Sequence, residues 1–338
     1  MKQPFQTKRR QILGVFFSSM ALSQMPLAAL AANKQKSESI ELFEWQGIAL
    51  GADAQLKIYH EDKLEVQHLL DAIMQEVARQ ERLFSLYRED SVISRLNQAG
   101  EVSDFAHDFY WLMSLADEYV KLTGGVFDPT VQILWESYRD YLVEHPQASS
   151  EELAKEIAKV QPLIGWDGIQ LGSNHIRLAK PGQRITLNGI AQGFITDRVT
   201  DLLRQRGIEH ALINMGEIRG LVPTDKTPWT LGIADPEDAT EFLKKIELGN
   251  QAMATSSSRG SYLSYEKNIG HIFDPATSRT DERYLSVTVR APTAAQADAL
   301  ATAFSIMSVE AIEGVLKQLS GVSVWILDQS RQWIELNT

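Results

Sequence analysis

Residues Ala295–Ala303 read AQADALATA, and the rest of the fold follows from where that stretch is placed. It comes after the strand-like run Ser286-Val-Thr-Val-Arg290 and opens an Ala/Leu-rich helical pattern. In a helix, Asp298 and Thr302 stand four residues apart and project from one face, about 6 Å apart along the axis. A carboxylate and a hydroxyl on one face, beside a turn with free carbonyls, form a hard-oxygen site suited to Mg2+. The same residues also fit an ordinary buried helix, in which the Thr bonds its own backbone and the Asp complements the helix dipole.

Working back toward the N-terminus, Gly270-His271-Ile-Phe-Asp274-Pro275 carries the imidazole best suited to accept a proton near neutral pH. The other six histidines occupy polar or helix-surface contexts, and no pair has zinc-ligand spacing. Thr255-Ser-Ser-Ser-Arg259 reads as a hydroxyl-rich loop, and Asn214-Met-Gly-Glu217 as a turn after a strand. Gly189-Ile-Ala-Gln-Gly193 sits at a strand-to-helix junction. There Gly189 permits a tight turn and Gly193 a close approach. Amides at that helix start would face an anion; close helix packing of the small-xxx-small type is the alternative. Asp128 ahead of Pro129 has the signature of an N-cap followed by Pro at the first helical position. Tyr87 ends a long helix, either half buried or free to lie flat on a ring system. No G-x-G-x-x-G, P-loop or G-x-S-x-G pattern occurs, which excludes those modes of nucleotide binding and the usual serine-hydrolase signature.

Periodicity predicts helices over 64–83, 105–122, 129–141, 151–160 and 190–206. Strands are predicted over 54–59, 185–187, 211–214, 229–233, 271–273, 286–289 and 322–327, with a hairpin around Gly172–Asn174. The mixture is α+β with antiparallel hairpins and no sustained βαβ alternation. The acidic, Pro-containing stretch 142–152 reads as a surface excursion.

At the N-terminus, Lys8-Arg9-Arg10-Gln-Ile-Leu13 precedes a short apolar run and an Ala29-Leu30-Ala31 cleavage site, so residues 1–31 read as a signal peptide of twin-arginine type. A polar leader, 32–39, then precedes one catalytic domain over 40–338, and the expected compartment is the periplasm. The chain has no Cys, which excludes disulfides, thiolate metal sites, Cys nucleophiles and a lipid anchor. Its formal net charge is −11, and removal of Lys2, Lys8, Arg9 and Arg10 with the signal makes the mature chain four charges more negative. Such a chain is a poor nucleic-acid binder and repels polyphosphates unless a cation or a set of amides intervenes. A hydrophobic content of 44% is enough for a full core.

Taken in order, these segments resemble the FAD:protein FMN transferase (ApbE) family. The matching blocks are Leu50-Gly51-Ala52, Phe84–Tyr87 with Ser91–Asn97, Gly125–Thr130, Leu187–Gly193 through Asp197, Leu212–Gly216, Ala254–Ser256, His271–Pro275 and Ala297–Thr302. The resemblance implies a T-fold-like arrangement of mixed and antiparallel sheets with packed helices, in two fused lobes with the flavin site between them. It implies FAD as substrate, Mg2+ (or Mn2+ or Ca2+) as the ion, and transfer of FMN to a Ser or Thr hydroxyl of an acceptor protein, with AMP leaving. By position it makes Asp298 and Thr302 side-chain metal ligands, with the backbone of Gly189 and Ala295 alongside. Leu50, Tyr87, Val126, Phe127, Asp128, Thr186, Gln192 and Ile272 would form the FAD site, and His271 and Asp298 would be catalytic. The exported, Cys-free form is similar to the branch that flavinylates membrane-associated electron-transfer proteins such as the nitrous-oxide-reductase accessory proteins. The chain departs from the family at Thr186, Asn188 and Gln192, where Asp, Gly and Lys or Glu are common, and Leu50-Gly51-Ala52 replaces Met-Gly-Thr. Attack by water, giving an FAD pyrophosphatase, and flavin binding without turnover are the alternatives that the residues leave open.

Overall fold

Alternation of inward apolar and outward polar side chains starts the sheet. Ala54, Leu56 and Ile58 are buried on one face of the strand β2 (Ala52–His60), which pairs antiparallel with β1 (Glu41–Ala49) from Glu41↔His60 to Ala49↔Ala52. Gly51, at φ +80°, takes a left-handed turn conformation that a side chain would strain. The computed structural model describes residues 40–49, 51–238, 240–257, 262–280 and 282–338. The expected signal peptide, the polar leader, Leu50 and part of the 255–259 loop lie outside the described residues.

Six further strands complete the sheet: β3 (Ala211–Asn214), β4 (Ile218–Leu221), β5 (Ala252–Ser256), β6 (Tyr284–Ala291), β7 (Ser323–Asp328) and β8 (Trp333–Asn337). Their spatial order is the chain order, β1 to β8, and every pairing is antiparallel. Helices are inserted between consecutive strands. Between β2 and β3 the chain forms α1 (Lys63–Phe84), α2 (Val92–Ala99), α3 (His107–Leu122), α4 (Gln132–Glu144), α5 (Ser150–Val160) and α6 (Ala191–Gln205). Between β6 and β7 it forms α7 (Ala294–Phe304) and α8 (Val309–Leu316). The result is the α+β, antiparallel architecture expected from the pattern. Among the described residues no helix is long and apolar enough to cross a membrane.

Alternation along β5 and β7 sends side chains to opposite faces. Ala252, Ala254, Val324 and Ile326 join the main core beneath the helices. Met253 and Trp325 face a smaller cluster built with the ribbon Trp229–Ala234/Phe242–Leu248. A third cluster unites Leu134 and Tyr138 of α4, Leu153 and Ile157 of α5, and Ile269 and Phe273. The 142–152 excursion is thus the crest of a helical hairpin with its own packing, within the compact unit Ser39–Thr338.

The alanine-rich stretch is a core helix. Nine residues of α7, Asp298 among them, are buried, as expected of a helix apolar on nearly all sides. It packs on α6, β5 and β6.

Three local expectations differ. Residues 185–187 join no sheet. The side chain of Asn97 instead donates to the Ile185 carbonyl and accepts from the Ile185 amide, both at 2.8 Å, so one amide side chain substitutes for a strand partner. Thr255 and Ser256 lie in β5 rather than in a loop, because Thr255 and Thr288 pair across the sheet. The strand predicted at 271–273 is replaced by two short pairings, Ile269–Gly270 with Tyr262–Ser264 and Phe273–Asp274 with Arg279–Thr280.

Candidate active site at the junction of two helices

The late helix folds back on the mid-chain glycines. Oδ2 of Asp298 accepts the backbone N–H of Gly193 at 3.0 Å, across 105 residues of sequence. One turn further along α7, the Thr302 hydroxyl lies beside Gly189. A Cβ placed on Gly189 would come within 3.0 Å of Thr302 Oγ1, 3.1 Å of its Cγ2 and 3.4 Å of Phe127 Cε2. A side chain at Gly189 would therefore make Thr302 or Phe127 give by a few tenths of an ångström. Gly193 is required, since a Cβ there would sit 2.3 Å from the Ala294 carbonyl oxygen. The anion expected at the start of α6 is thus, in part, the chain's own Asp298 carboxylate.

A second carboxylate holds the same junction from the other side. Asp197, two turns into α6, accepts the amides of Ala294 and Ala295 through its two oxygens, each at 2.9 Å. These are the first two residues of α7, whose amides have no partner within the helix. Thr293 caps the next one, from Gln296, at 3.2 Å. Arg219, on β4, closes an ion pair with Asp197 and is almost fully covered.

Sequence reading did not single out Glu217. It lies between β3 and β4, after the turn at Gly216 (φ +108°). Its carboxylate receives the Thr255 amide and feels the charge of Asp298. Its residue surface is only partly covered, yet protein atoms surround the carboxylate. Burial pushes the Glu217 carboxyl well above its usual range, and Asp298 pushes it further. Burial likewise pushes Asp298 up to about 7, with the Gly193 amide pulling down and Asp197 pushing up. Asp197 is also raised by burial, against the pull of Arg219 and the two amides. Two carboxylates so enclosed coexist by holding a proton or a positive charge. An acid directly after a glycine turn that ends a buried strand was the one signal available for Glu217.

The remaining candidates sort by element. Asp128 caps a 3₁₀ turn, Pro129–Val131, and accepts from the Thr130 amide at 2.8 Å and its hydroxyl at 2.7 Å. Burial raises its carboxyl. Thr186 is tied to this turn by its amide, which donates to the Pro129 carbonyl at 2.8 Å. Val126 packs at the edge of the main core beside buried Phe127. Gln192 lies against Gly216. Ala295 stands at the α7 start with its amide on Asp197. Tyr87, 68% exposed, follows α1. His271 and Ile272, both half-buried, sit on the segment that packs against α4 and α5. The structure therefore brings Thr302 to Gly189 and Phe127, and Asp298 to Gly193, places Gln192 and Ala295 on the two helices that meet there, and carries Tyr87, His271 and Ile272 on other elements.

Among the described residues no three His, Cys, Asp or Glu side chains are grouped to hold a metal. A cation at this junction would rest on a carboxylate, a hydroxyl and backbone carbonyls, a donor set that suits a hard divalent ion.

A model of the ApbE family matches residues 50–326. The FAD:protein FMN transferase of Vibrio cholerae serotype O1 is 29% identical over 300 residues, covering 84% of this chain and 86% of that protein. The Treponema pallidum FAD:protein FMN transferase is 27% identical over 301 residues, with 81% of each chain covered. Among solved structures, the flavin transferase ApbE from Vibrio cholerae superposes with a TM-score of 0.73 at 26% identity, covering 88% of this chain and 97% of that one. The ApbE protein of Thermotoga maritima gives 0.73 at 27% identity, covering 87% and 96%.

Proposed function

This chain belongs to the ApbE family, and from that premise we propose that it moves FMN from FAD onto a Ser or Thr hydroxyl of an acceptor protein at the α6–α7 junction. The activity class is that of its curated relatives: it is an FAD:protein FMN transferase. The reading of the site rests on one observation, the convergence of Asp298 and Thr302 on Gly189 and Gly193.

In the proposed reaction the acceptor oxygen forms a bond to the FMN phosphorus. The bond from that phosphorus to the bridging oxygen breaks, and AMP leaves with the electron pair. Asp298, Thr302 and the Gly189 backbone would hold a divalent cation, Mg2+ first. When bound, the ion supplies positive charge to the pyrophosphate oxygens and the leaving group. The fit lies in the donor chemistry: paired buried carboxylates whose protons a cation would replace. Asp298 keeps one oxygen on the Gly193 amide, which fixes its orientation and leaves the other oxygen for the ion. His271 takes up the hydroxyl proton. Val126, Phe127, Asp128, Thr186, Gln192 and Ile272 would line the dinucleotide, and exposed Tyr87 would cover a ring face. Uncharged Thr186 and Gln192 would leave neutralisation of the phosphates to the cation, since Gly193 already gives its amide to Asp298.

The test is a mass measurement. The protein is incubated with FAD, Mg2+ and an acceptor domain bearing a flavinylation segment that a known transferase modifies. An FMN-sized gain on the acceptor, lost in Asp298→Ala, is expected. An unmodified acceptor with intact FAD contradicts the transfer, and free FMN with AMP in the absence of acceptor would indicate hydrolysis instead. We further propose export by the twin-arginine route to the periplasm, toward a membrane-associated electron-transfer acceptor, from the Arg9-Arg10 pair. Retention of precursor in the cytoplasm on replacing both arginines by lysine is the expected result; undiminished export would contradict it.

A further inference from the structure

The two helices at the site exchange carboxylates. Asp298 of α7 takes an amide in the first turn of α6, and Asp197 of α6 takes the first two amides of α7. The exchange is asymmetric. Asp298 commits one oxygen to Gly193, whereas Asp197 spends both oxygens as a fork on Ala294 and Ala295. A fork onto two successive amides determines the height of a helix along its axis and its rotation, because sliding or turning α7 lengthens one bond or the other. Asp298 and Thr302 lie four and eight residues after Ala294 on that same rigid helix. Their approach to Gly189 thus depends on where the fork holds the helix start.

Three observations add to this. Gly193 brings the backbones so close that a Cβ would lie 2.7 Å from the Ala295 amide nitrogen, so the contact has no slack. The Asp197–Arg219 pair leaves only 15% and 8% of its side chains exposed, so the fork is weakly screened. Arg219 reaches it from β4, two residues after Glu217, so one arginine ties the fork to the strand that begins beside the second carboxylate of the site.

We infer that Asp197, held by Arg219, is the positioning residue of the cation site. It touches neither ion nor substrate, and it sets the distance between Asp298–Thr302 and Gly189. The inference rests on the cation reading of Asp298 given above.

Mn2+ binding to the full-length, FAD-saturated protein, followed by electron paramagnetic resonance, tests it. Wild type should bind Mn2+ and Asp298→Ala should not; equal binding by both sinks the cation reading itself, whatever Asp197 does. Given that difference, Asp197→Asn keeps the size of the side chain but opposes an NH2 group to one amide. Its Mn2+ affinity should fall roughly tenfold or more, the range typical of outer-shell partners, while far-ultraviolet dichroism stays at the wild-type value. A lowered melting temperature with unchanged Mn2+ affinity in the folded fraction marks a purely structural role and overturns the inference. If Asp197→Asn does not fold, Arg219→Gln, which leaves the fork intact but unanchored, should weaken Mn2+ several-fold in the same assay. Wild-type affinity there also overturns it.

Discussion

Asp298 carries a protonation consequence that follows chiefly from its burial. The folded chain raises its carboxyl from an ordinary 3.8 to about 7, so between those values the folded state binds more protons than the unfolded one. Stability therefore falls as pH rises through that window, and Glu217, shifted in the same direction, adds to the effect. A divalent cation binds the deprotonated pair and opposes the loss. In chelator, the melting temperature should drop as pH rises from about 5 to about 8, and excess Mg2+ should shrink the drop. Asp298→Asn should flatten the profile in chelator; an unchanged slope in that variant would assign the titration elsewhere. Thr302→Val removes the hydroxyl beside Gly189 and little else. Melting should move little, while FMN transfer at limiting Mg2+ should fall by about tenfold or more. Equal rates for Val and Thr would remove Thr302 from the site.

At the scale of elements, the contact between α6 and α7 is the tightest joint near the site. Gly193→Ala forces a methyl group to 2.3 Å from the Ala294 carbonyl oxygen, against backbone that cannot rotate away. A loss of about 2–3 kcal/mol is expected from overpacking, read as a lower denaturation midpoint with an unchanged slope. A variant as stable as wild type would mean that the helices can separate without penalty. The approach to Gly189 is held differently. Asn97, buried on α2, satisfies both backbone groups of Ile185. Asn97→Ala strands two buried peptide groups, each costing about 1–3 kcal/mol. Chemical denaturation and faster amide exchange at Ile185 report this loss.

Legibility in the sequence divides along the same line. Helix positions were readable because apolar residues recur with the helical period, as at Val66, Leu69, Ile73 and Val77 of α1. Asp298 and Thr302 were readable as a one-faced pair for the same reason. Glu217 and the fork at Asp197 were not, since nothing local distinguishes a carboxylate that meets foreign amides from one that meets water. The 185–187 segment reads as a strand because β propensity cannot report that the partner of Ile185 is a single side chain.

Over the whole molecule, the α4–α5 hairpin acts on a distant segment. Tyr138 stacks on Phe273 with ring centroids 5.1 Å apart, and its hydroxyl donates to the Ser278 carbonyl at 3.0 Å. It thereby holds the first arm and the turn of the Phe273–Asp274/Arg279–Thr280 pairing that follows His271. Tyr138→Phe keeps the stack and deletes the hydrogen bond, for about 1 kcal/mol. Amide exchange confined to residues 273–280 should accelerate while α1 and the main sheet stay protected; uniform acceleration would show that the hairpin is not a separate support.

Composition, period and spacing alone determined an α+β chain without cysteine chemistry, the helical placement of 294–304, and a carboxylate and hydroxyl sharing one face of it. Tertiary structure alone decided what that face meets: the glycines that admit it, the Asp197 fork that sets its height, and the Glu217 carboxylate that makes the place electrostatically demanding. The reason is one of range. A side chain's direction follows from its neighbours within a turn or two, whereas its partner is chosen by packing between segments some hundred residues apart, as Gly193 and Asp298 are.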